Sequence, residues 1–272
     1  MPTPGWERFE AFLWRTSSLL VVAEGESLVV DPAISAEEVA GIDRRALELG
    51  APVRQVLITH GDWDHVCGIG GFPDAVVAMG EETAAKVTSG AADRSVQRAV
   101  EAYGFVPSGS PRVDKTFPRG SAVALGEFVV ETFPLVGHTP DGSGFRLREL
   151  GLLLVGDYLS AVEFPFATSP AAYRLTLAGL IELLGEDAPE MVIPGHGPPL
   201  AAEEALGVAE ADLRYLRSLH AAVVDALARD GTRDEAHAAG LAVALPRACS
   251  PDLEEMRGFN VDRQIEEIVP AS

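Results

Sequence analysis

The sequence predicts an α/β protein, and three observations support this fold class. Short apolar or β-branched runs alternate with longer segments of helical spacing along the 272 residues. The chain begins with the order strand, strand, helix, strand, loop, which is typical of layered α/β domains. An apolar content of 47% and a mean hydropathy of +0.14 provide enough material for one large folded domain.

Four apolar runs predict the strands of the first half, and the first two form a hairpin around the turn AEGE. These runs are residues 18–22, 27–30, 53–58 and 75–79. Residues 35–50 predict a helix, because they start with a capping serine, carry acids in the first turn and close with glycine. A short helix over 81–87 and a mixed helical and Pro/Gly-rich segment over 90–119 follow.

The second half predicts two more hairpins and two more helices. The hairpins cover residues 122–135 and 145–155, and the helices cover residues 169–185 and 201–229. Between the helices, MVIPGHGPP predicts a strand that enters a proline-rich turn at His196. We expect the last helix and the tail after it to pack outside the core as a cap.

Charge and cysteine content restrict the partners and the compartment. A net charge of −20 argues against a nucleic-acid backbone or an anionic membrane surface as the main partner, because the field of the protein repels both unless a local basic patch overrides it. Two cysteines, Cys67 and Cys249, predict reduced thiols, and charged residues interrupt any N-terminal secretion signal. We expect a cytoplasmic protein with a small-molecule substrate, and a homodimer stays open.

Seven side chains that can coordinate a metal occupy the same kind of position relative to the predicted strands. Each lies in a loop directly after a predicted strand, where α/β folds place their chemistry. They are His60, Asp62, Asp64, His65, His138, Asp157 and His196. A single loop histidine is more often a surface or capping residue, so the shared position carries the prediction. Imidazole and carboxylate together can bind two neighbouring divalent ions without thiolate.

The motifs THGDWDH, GHTPDGS, VGD and PGHG resemble, in this order, those of the metallo-β-lactamase superfamily. The usual signature of that family is HxHxDH, then a histidine, a bridging aspartate and a histidine. The resemblance covers about residues 18–200. It implies a four-layer αββα sandwich with its active site at one edge between two mixed sheets. It also implies a catalytic domain over 1–200 and a C-terminal helical extension over 201–272 packed on it.

The resemblance assigns a role to each of the seven side chains. His60, Asp62 and His138 would hold one divalent ion, Asp64, His65 and His196 the other, and Asp157 would bridge them. Zinc is the first expectation for both ions. A water or hydroxide of lowered pKa would be the nucleophile, and Asp64 would be the catalytic residue that orients it.

Asp62 stands where the family usually has histidine. A carboxylate is a harder, negatively charged ligand, so it makes iron or manganese acceptable at the first site. Some flavodiiron relatives carry glutamate at this position, but they need an FMN domain for which this chain has no room. The alternative interpretation is that Asp62 disables the first site and leaves a single metal ion.

The implied function is metal-dependent hydrolysis of a small ester, thioester or lactone. GHTPDGS and PGHG look more like the glyoxalase-II-like and lactonase branches than the antibiotic-cleaving ones. Hydrolysis of a small-nucleotide phosphodiester stays open, because the same nucleophile attacks carbon or phosphorus. Two other classes are an iron-dependent oxidoreductase, of the sulfur dioxygenase or diiron type, and an inactive binding module on the same scaffold.

Several residues near the seven receive lesser roles. Asp31 ends a predicted strand close enough to the site for a hydrogen bond to a ligand. Tyr158, Glu163 and Phe164 follow Asp157 and are candidates for the substrate pocket. The run GIGG after the first motif predicts the start of a helix.

Overall fold

Two mixed β-sheets form the centre of the protein in a computed structural model, which describes residues 5–228 and 231–269. The first sheet has the order β1 (Gly5–Glu10), β2 (Ser17–Val22), β3 (Ser27–Val30), β4 (Val53–Ile58), β5 (Val76–Gly80), β6 (Lys115–Phe117). The second has the order β11 (Met191–Ile193), β10 (Leu152–Leu154), β9 (Ser143–Leu147), β8 (Phe128–Pro134), β7 (Ala122–Leu125).

Helices cover the outer faces of both sheets. Those of the first half are α1 (Ala36–Glu48), α2 (Trp63–Val66), α3 (Glu81–Thr88) and α4 (Ala91–Tyr103). Those of the second half are α5 (Pro170–Glu186), α6 (Ala202–Leu227), α7 (Arg233–Leu241), α8 (Pro251–Glu255) and α9 (Gly258–Ile268). The predicted last helix also included residue 229, which lies outside the described residues.

Three clusters of buried apolar side chains separate four layers. One lies between α1–α4 and the first sheet, one between the sheets, and one between the second sheet and helices α5, α6, α7 and α9. Strand β2 shows how a continuous apolar run serves two layers: Leu19 and Val21 face the second sheet, while Leu20 and Val22 face away from it. The predicted α/β class and four-layer arrangement are confirmed.

Local signals explain where the chain turns. Ser35 forms a capping box with Glu38 at the start of α1, and Gly50 after its end has a φ of +69°. Gly126 and Gly151 turn the two hairpins predicted in the second half, with φ of +56° and +62°. These helix and hairpin predictions are confirmed.

Two local features differ from the prediction. Strand β1 pairs antiparallel with β2 at the sheet edge, and its mixture of charged and aromatic residues gave no strand signal. The run GIGG forms one 3₁₀ turn, Ile69–Gly71, instead of starting an α-helix. Its glycines permit close backbone contact, because a Cβ on Gly68 would lie 2.5 Å from the carbonyl oxygen of Ala33.

The strand ends that carry the predicted metal ligands lie together at one edge of the sandwich. Asp31 follows β3, His60 follows β4, Asp157 follows β10 and His196 follows β11. The amide of Ser143 donates to the carbonyl of Thr59 at 2.8 Å and joins the two sheets there. Among the described residues, every helix is too short or too polar to cross a bilayer.

Candidate metal centre

The first motif folds into a tight loop and a short helix. His60 lies directly after β4, Asp62 precedes α2, and Asp64 and His65 lie within α2. The amide of Gly61 donates to a carboxylate oxygen of Asp141 at 2.8 Å, which fixes this turn. One segment thereby aims four polar side chains at the same edge of the sandwich.

Asp157 lies at the centre of the four histidines of the predicted constellation. Its Oδ1 is 3.0 Å from Nε2 of His65. Its Oδ2 is 3.1 Å from Nε2 of His138, 3.2 Å from that of His196 and 3.6 Å from that of His60. A single carboxylate therefore contacts imidazoles delivered by three separate loops, as a bridging ligand requires.

The other carboxylates divide the cluster into two halves. Oδ2 of Asp62 is 3.7 Å from Nε2 of His60 and 3.5 Å from that of His138. Oδ2 of Asp64 lies 3.5 Å from Nε2 of His65 and 3.4 Å from that of His196. Within each half the ligand atoms lie within 4.8 Å of one another. The structure thus brings all seven predicted residues together, in the two sets that the resemblance implied.

The far nitrogen of every imidazole has a partner that orients the ring. Nδ1 of His65 lies 2.9 Å from Asp31, and Nδ1 of His60 lies 3.0 Å from the Thr59 hydroxyl. Nδ1 of His138 lies 2.8 Å from a backbone carbonyl, and Nδ1 of His196 lies 3.0 Å from another. Such contacts place the proton on Nδ1 and leave Nε2 free to bind a cation.

The ligand atoms that face one another in the cluster are arranged for a metal ion rather than for hydrogen bonds between them. Nε2 of His60, His65 and His138 and Oδ1 of Asp157 are buried without a hydrogen bond in the described part of the chain. Their short separations lack hydrogen-bond geometry. Buried polar atoms are rarely left without partners, and unpartnered imidazole nitrogens beside carboxylates are the donor set of zinc and iron sites.

The charges of the cluster are strongly coupled. Burial acts to lower the pKa of His65 and His138, but Asp157 and its neighbours raise both well above the usual value. Against the same effect of burial, Asp157 raises the pKa of His196 to about 10. Burial acts to raise the pKa of Asp157 and Asp62, but the facing imidazoles hold both well below their usual range. The carboxylates therefore require positive charge nearby, which protons or divalent cations can supply.

The backbone is strained around this site. Among described residues, non-glycine positions with left-handed φ are Trp14, Arg15, Asp31 and Leu159. The carbonyl of Trp14 is the partner of His196, and Asp31 is the partner of His65. Such conformations cost of order 1–3 kcal/mol each and concentrate at functional sites. Here they hold the groups that orient two of the imidazoles.

A pocket of about 210 Å³ opens onto the cluster. Its apolar lining consists of Trp14, Trp63, Phe166, Leu253, Met256 and Phe259. The segment 90–119 packs against this lining, because the ring of Tyr103 stacks on that of Trp63 with 5.6 Å between the ring centroids. The C-terminal helices thus contribute to the pocket as well as to the outer layer.

The predicted pocket residues have different roles in the structure. Glu163 lines the pocket, and burial raises its pKa to about 7. Tyr158 instead donates to the carbonyl of Val136 at 2.7 Å and accepts from the amide of His138 at 3.1 Å. Phe164 is 1% exposed and packs in the interior. The expectation that Tyr158 and Phe164 line this pocket is wrong, because both side chains point into the core.

Asn260 on α9 connects the C-terminal extension to the cluster. Its side chain donates to the carbonyl of Pro165 at 2.6 Å and accepts from the amide of Ala167 at 2.9 Å. The residue between them, Phe166, supplies the carbonyl oxygen that holds Nδ1 of His138. The extension therefore fixes the loop that orients one predicted ligand.

Sequence reasoning missed the apolar lining and Lys86, whose Nζ lies 2.5 Å from Oδ1 of Asp62. The lining residues are spread from position 14 to position 259, so no local motif marks them. Lys86 carried a weak signal, because it is one of two lysines in a chain whose other basic residues are arginines.

Comparison with known proteins agrees with this geometry. Residues 12–224 match the family model of the metallo-beta-lactamase superfamily. The uncharacterized protein YobT of Bacillus subtilis (strain 168) is 27% identical over 202 residues, which are 68% of this chain and 84% of that protein. A hydroxyacylglutathione hydrolase of Cereibacter sphaeroides is 29% identical over 176 residues, which are 64% of this chain and only 58% of that enzyme.

Solved structures show the same fold. A metallo-beta-lactamase family protein from Thermus thermophilus superposes with a TM-score of 0.67 at 20% identity. The match covers 97% of this chain and 93% of that chain. It therefore includes the C-terminal helices as well as the two sheets.

Proposed function

Because the chain belongs to the metallo-beta-lactamase superfamily, we propose that it is a metal-dependent hydrolase of a small ester, thioester or lactone. The observation that carries this proposal is the ring of buried, unpartnered imidazole nitrogens around Asp157. The similarity to the hydroxyacylglutathione hydrolase of Cereibacter sphaeroides supports a thioester among these substrates.

The proposed ligand sets are those that the resemblance to the family implies. His60, Asp62 and His138 would hold one cation, Asp64, His65 and His196 the other, and Asp157 both. Divalent cations there would supply a water of lowered pKa and polarise the scissile carbonyl. Zinc is the first choice, with iron or manganese as alternatives.

The remaining steps belong to the side chains of this protein. Asp64 accepts a hydrogen bond from the Thr16 hydroxyl at 3.3 Å, which holds its carboxylate toward the pocket so that it can orient the attacking water. The Nδ1 contacts keep the imidazoles from turning during the reaction. The apolar lining excludes bulk water from the scissile bond.

The metal content of the protein purified without added metal tests this proposal. We expect about two equivalents of a divalent metal, and loss of ester, thioester and lactone hydrolysis after chelation, with recovery on adding the metal back. Elemental analysis and a hydrolysis panel give both readouts. A folded protein that contains no metal and whose thermal stability is unchanged by the chelator would identify an inactive binding module instead. One equivalent would mean that Asp62 disables the first site.

Asp62 favours an iron-dependent oxidoreductase as the second candidate. Its carboxylate faces His60 and His138, and a carboxylate beside two imidazoles suits iron. Bound iron together with oxygen uptake in the presence of a persulfide would select this activity over hydrolysis. A protein that contains zinc and takes up no oxygen would eliminate it.

A further inference from the structure

The pocket over the candidate metal centre has an apolar wall that the C-terminal helices help to build. Leu253 comes from α8, Met256 follows α8, and Phe259 comes from α9. Trp14 and Trp63 meet edge to face at 5.2 Å in the same wall. Large apolar side chains at a binding site select for apolar ligand surface.

No lysine or arginine is among the residues that line this pocket in the described part of the chain. Three arginines near lining residues already have partners, and one of them, Arg263, lies over the Phe259 ring and pairs with Glu266. Arg247 donates to Asp212 and to the carbonyl of Glu163, while Arg257 donates to backbone carbonyls of Leu241 and Val243. The pocket instead contains carboxylates, and Glu163 adds one that the candidate metal centre does not use.

From this wall and this absence of cations we propose that the substrate presents an uncharged, apolar acyl or alcohol portion to the pocket. The inference rests on the proposed hydrolase function and narrows its substrate class. Against the apolar wall, away from the candidate metal centre, a carboxylate-bearing arm such as that of glutathione would lose its hydration without gaining a counter-charge. Each methylene buried against the wall adds about fourfold to kcat/KM until the pocket is filled.

Two matched substrate series test this substrate class. Straight-chain acyl thioesters of a small neutral thiol are compared with glutathione thioesters of the same acyl groups. We expect kcat/KM to rise with chain length and to be at least about tenfold lower for the glutathione series. Equal or better hydrolysis of the glutathione thioesters, or no dependence on chain length, would overturn the inference.

Non-hydrolysable thioethers separate this inference from the proposed function. Their binding is followed by the fluorescence of Trp14 and Trp63, which lie in the wall. Tighter binding of the neutral, longer thioethers supports the proposed substrate class even if the protein hydrolyses nothing. In that case only the proposed hydrolase activity is contradicted. Met256→Arg adds a positive charge to the wall, so it should reduce the preference for neutral over glutathione thioethers relative to Met256→Gln, which adds none. Met256 is 46% exposed and tolerates either change.

A second inference comes independently from the ion pair between Lys86 and Asp62. Nζ of Lys86 holds Oδ1 of Asp62 at 2.5 Å, which leaves Oδ2 facing His60 and His138. The lysine stem crosses Gly61, where a Cβ would lie 2.8 Å from Cδ of Lys86. Glycine at this position therefore leaves room for the lysine to reach the ligand loop.

The pair has the formal charge of a neutral histidine. Asp62 alone would add a negative charge to a set that already contains Asp157, whereas Asp62 with Lys86 adds none. We infer that Lys86 is a positioning residue, and that the Lys86–Asp62 pair replaces the histidine usual at position 62. This inference also rests on the proposed metal centre.

A double-mutant cycle tests this pairing through metal retention during titration with a chelator. Lys86→Met and Asp62→His should each weaken retention at the first site by about tenfold or more, because each leaves one charge without its partner. The double variant should return to within about threefold of the natural protein. Additive losses in the double variant would overturn the inference.

Controls keep the cycle interpretable. Lys86→Arg keeps the charge and should retain metal like the natural protein, and thermal unfolding shows that every variant is folded. If the natural protein holds two ions but the losses of metal retention in the two single variants add up in the double variant, only the role of Lys86 is contradicted. A natural protein that holds no metal contradicts the proposed function and this inference together.

Discussion

Replacing Asp157 with asparagine is expected to lower hydrolysis by at least about a thousandfold, equivalent to about 4 kcal/mol of transition-state stabilisation. The carboxylate lies within 3.6 Å of four imidazole nitrogens, so it belongs to both candidate ligand sets. Asparagine keeps the shape but removes the charge that holds two cations together. Steady-state kinetics and elemental analysis of the same preparation measure the two consequences.

The matched control is Asp74→Asn, which removes one negative charge at an exposed position. It should leave both kcat/KM and metal content unchanged within experimental error. If Asp157→Asn keeps its full metal content and loses less than about tenfold in rate, Asp157 does not bridge and the dinuclear arrangement is wrong.

The seven candidate ligands could be predicted because their position obeys a rule of local sequence. Each follows a strand, and strand ends of one sandwich edge are brought together by the hydrogen-bonding of the sheets rather than by any single contact. Asp31 could be suggested for the same reason, and its carboxylate lies 2.9 Å from Nδ1 of His65. The site thus follows from the sheet topology, which the alternation of apolar runs encodes.

The surroundings of the site could not be predicted in the same way. Asn260 contacts Pro165 and Ala167 across more than 90 positions, and neither end carries a motif. Lys86 reaches Asp62 only because α3 lies beside the ligand loop. Contacts of this kind depend on how helices pack on the sheets, and one amphipathic sequence can pack in several ways.

These long-range contacts determine what the site can do. The ligand cluster by itself is compatible with attack on carbon or phosphorus. The proposals about substrate and metal rest on the apolar wall from α8 and α9, the absence of a lysine or arginine from the pocket lining among described residues, and the Lys86–Asp62 pair. The candidate site therefore combines a cluster that local sequence predicts with a pocket built by distant segments.

Replacing Arg247 with methionine is expected to lower the free energy of unfolding by about 3 kcal/mol. Nη2 of Arg247 lies 2.5 Å from Oδ1 of Asp212, whose side chain is 2% exposed. Arg247 also donates to the carbonyl of Glu163 in the pocket wall. The substitution leaves Asp212 buried without a counter-charge, which costs more than the ion pair itself contributes. Urea denaturation followed by circular dichroism measures the change.

The pH dependence of this loss identifies its cause. Burial raises the pKa of Asp212 to about 7, and Arg247 opposes that shift, so removing Arg247 should raise the pKa further. A carboxyl with a raised pKa binds its proton more tightly in the folded state than in the unfolded chain. Stability then falls as the pH rises between the unfolded and folded pKa values, and in the variant this decline should extend above pH 7.

Two controls decide whether the buried charge is responsible. Arg214→Met removes an arginine from an exposed pair on α6, 3.6 Å from Glu210, and should change stability by less than about 0.5 kcal/mol. The double variant Asp212→Leu with Arg247→Met removes both charges and should recover most of the loss. If the double variant is as unstable as Arg247→Met alone, then the contact with the Glu163 carbonyl holds the extension in place, and the ion pair is secondary to it.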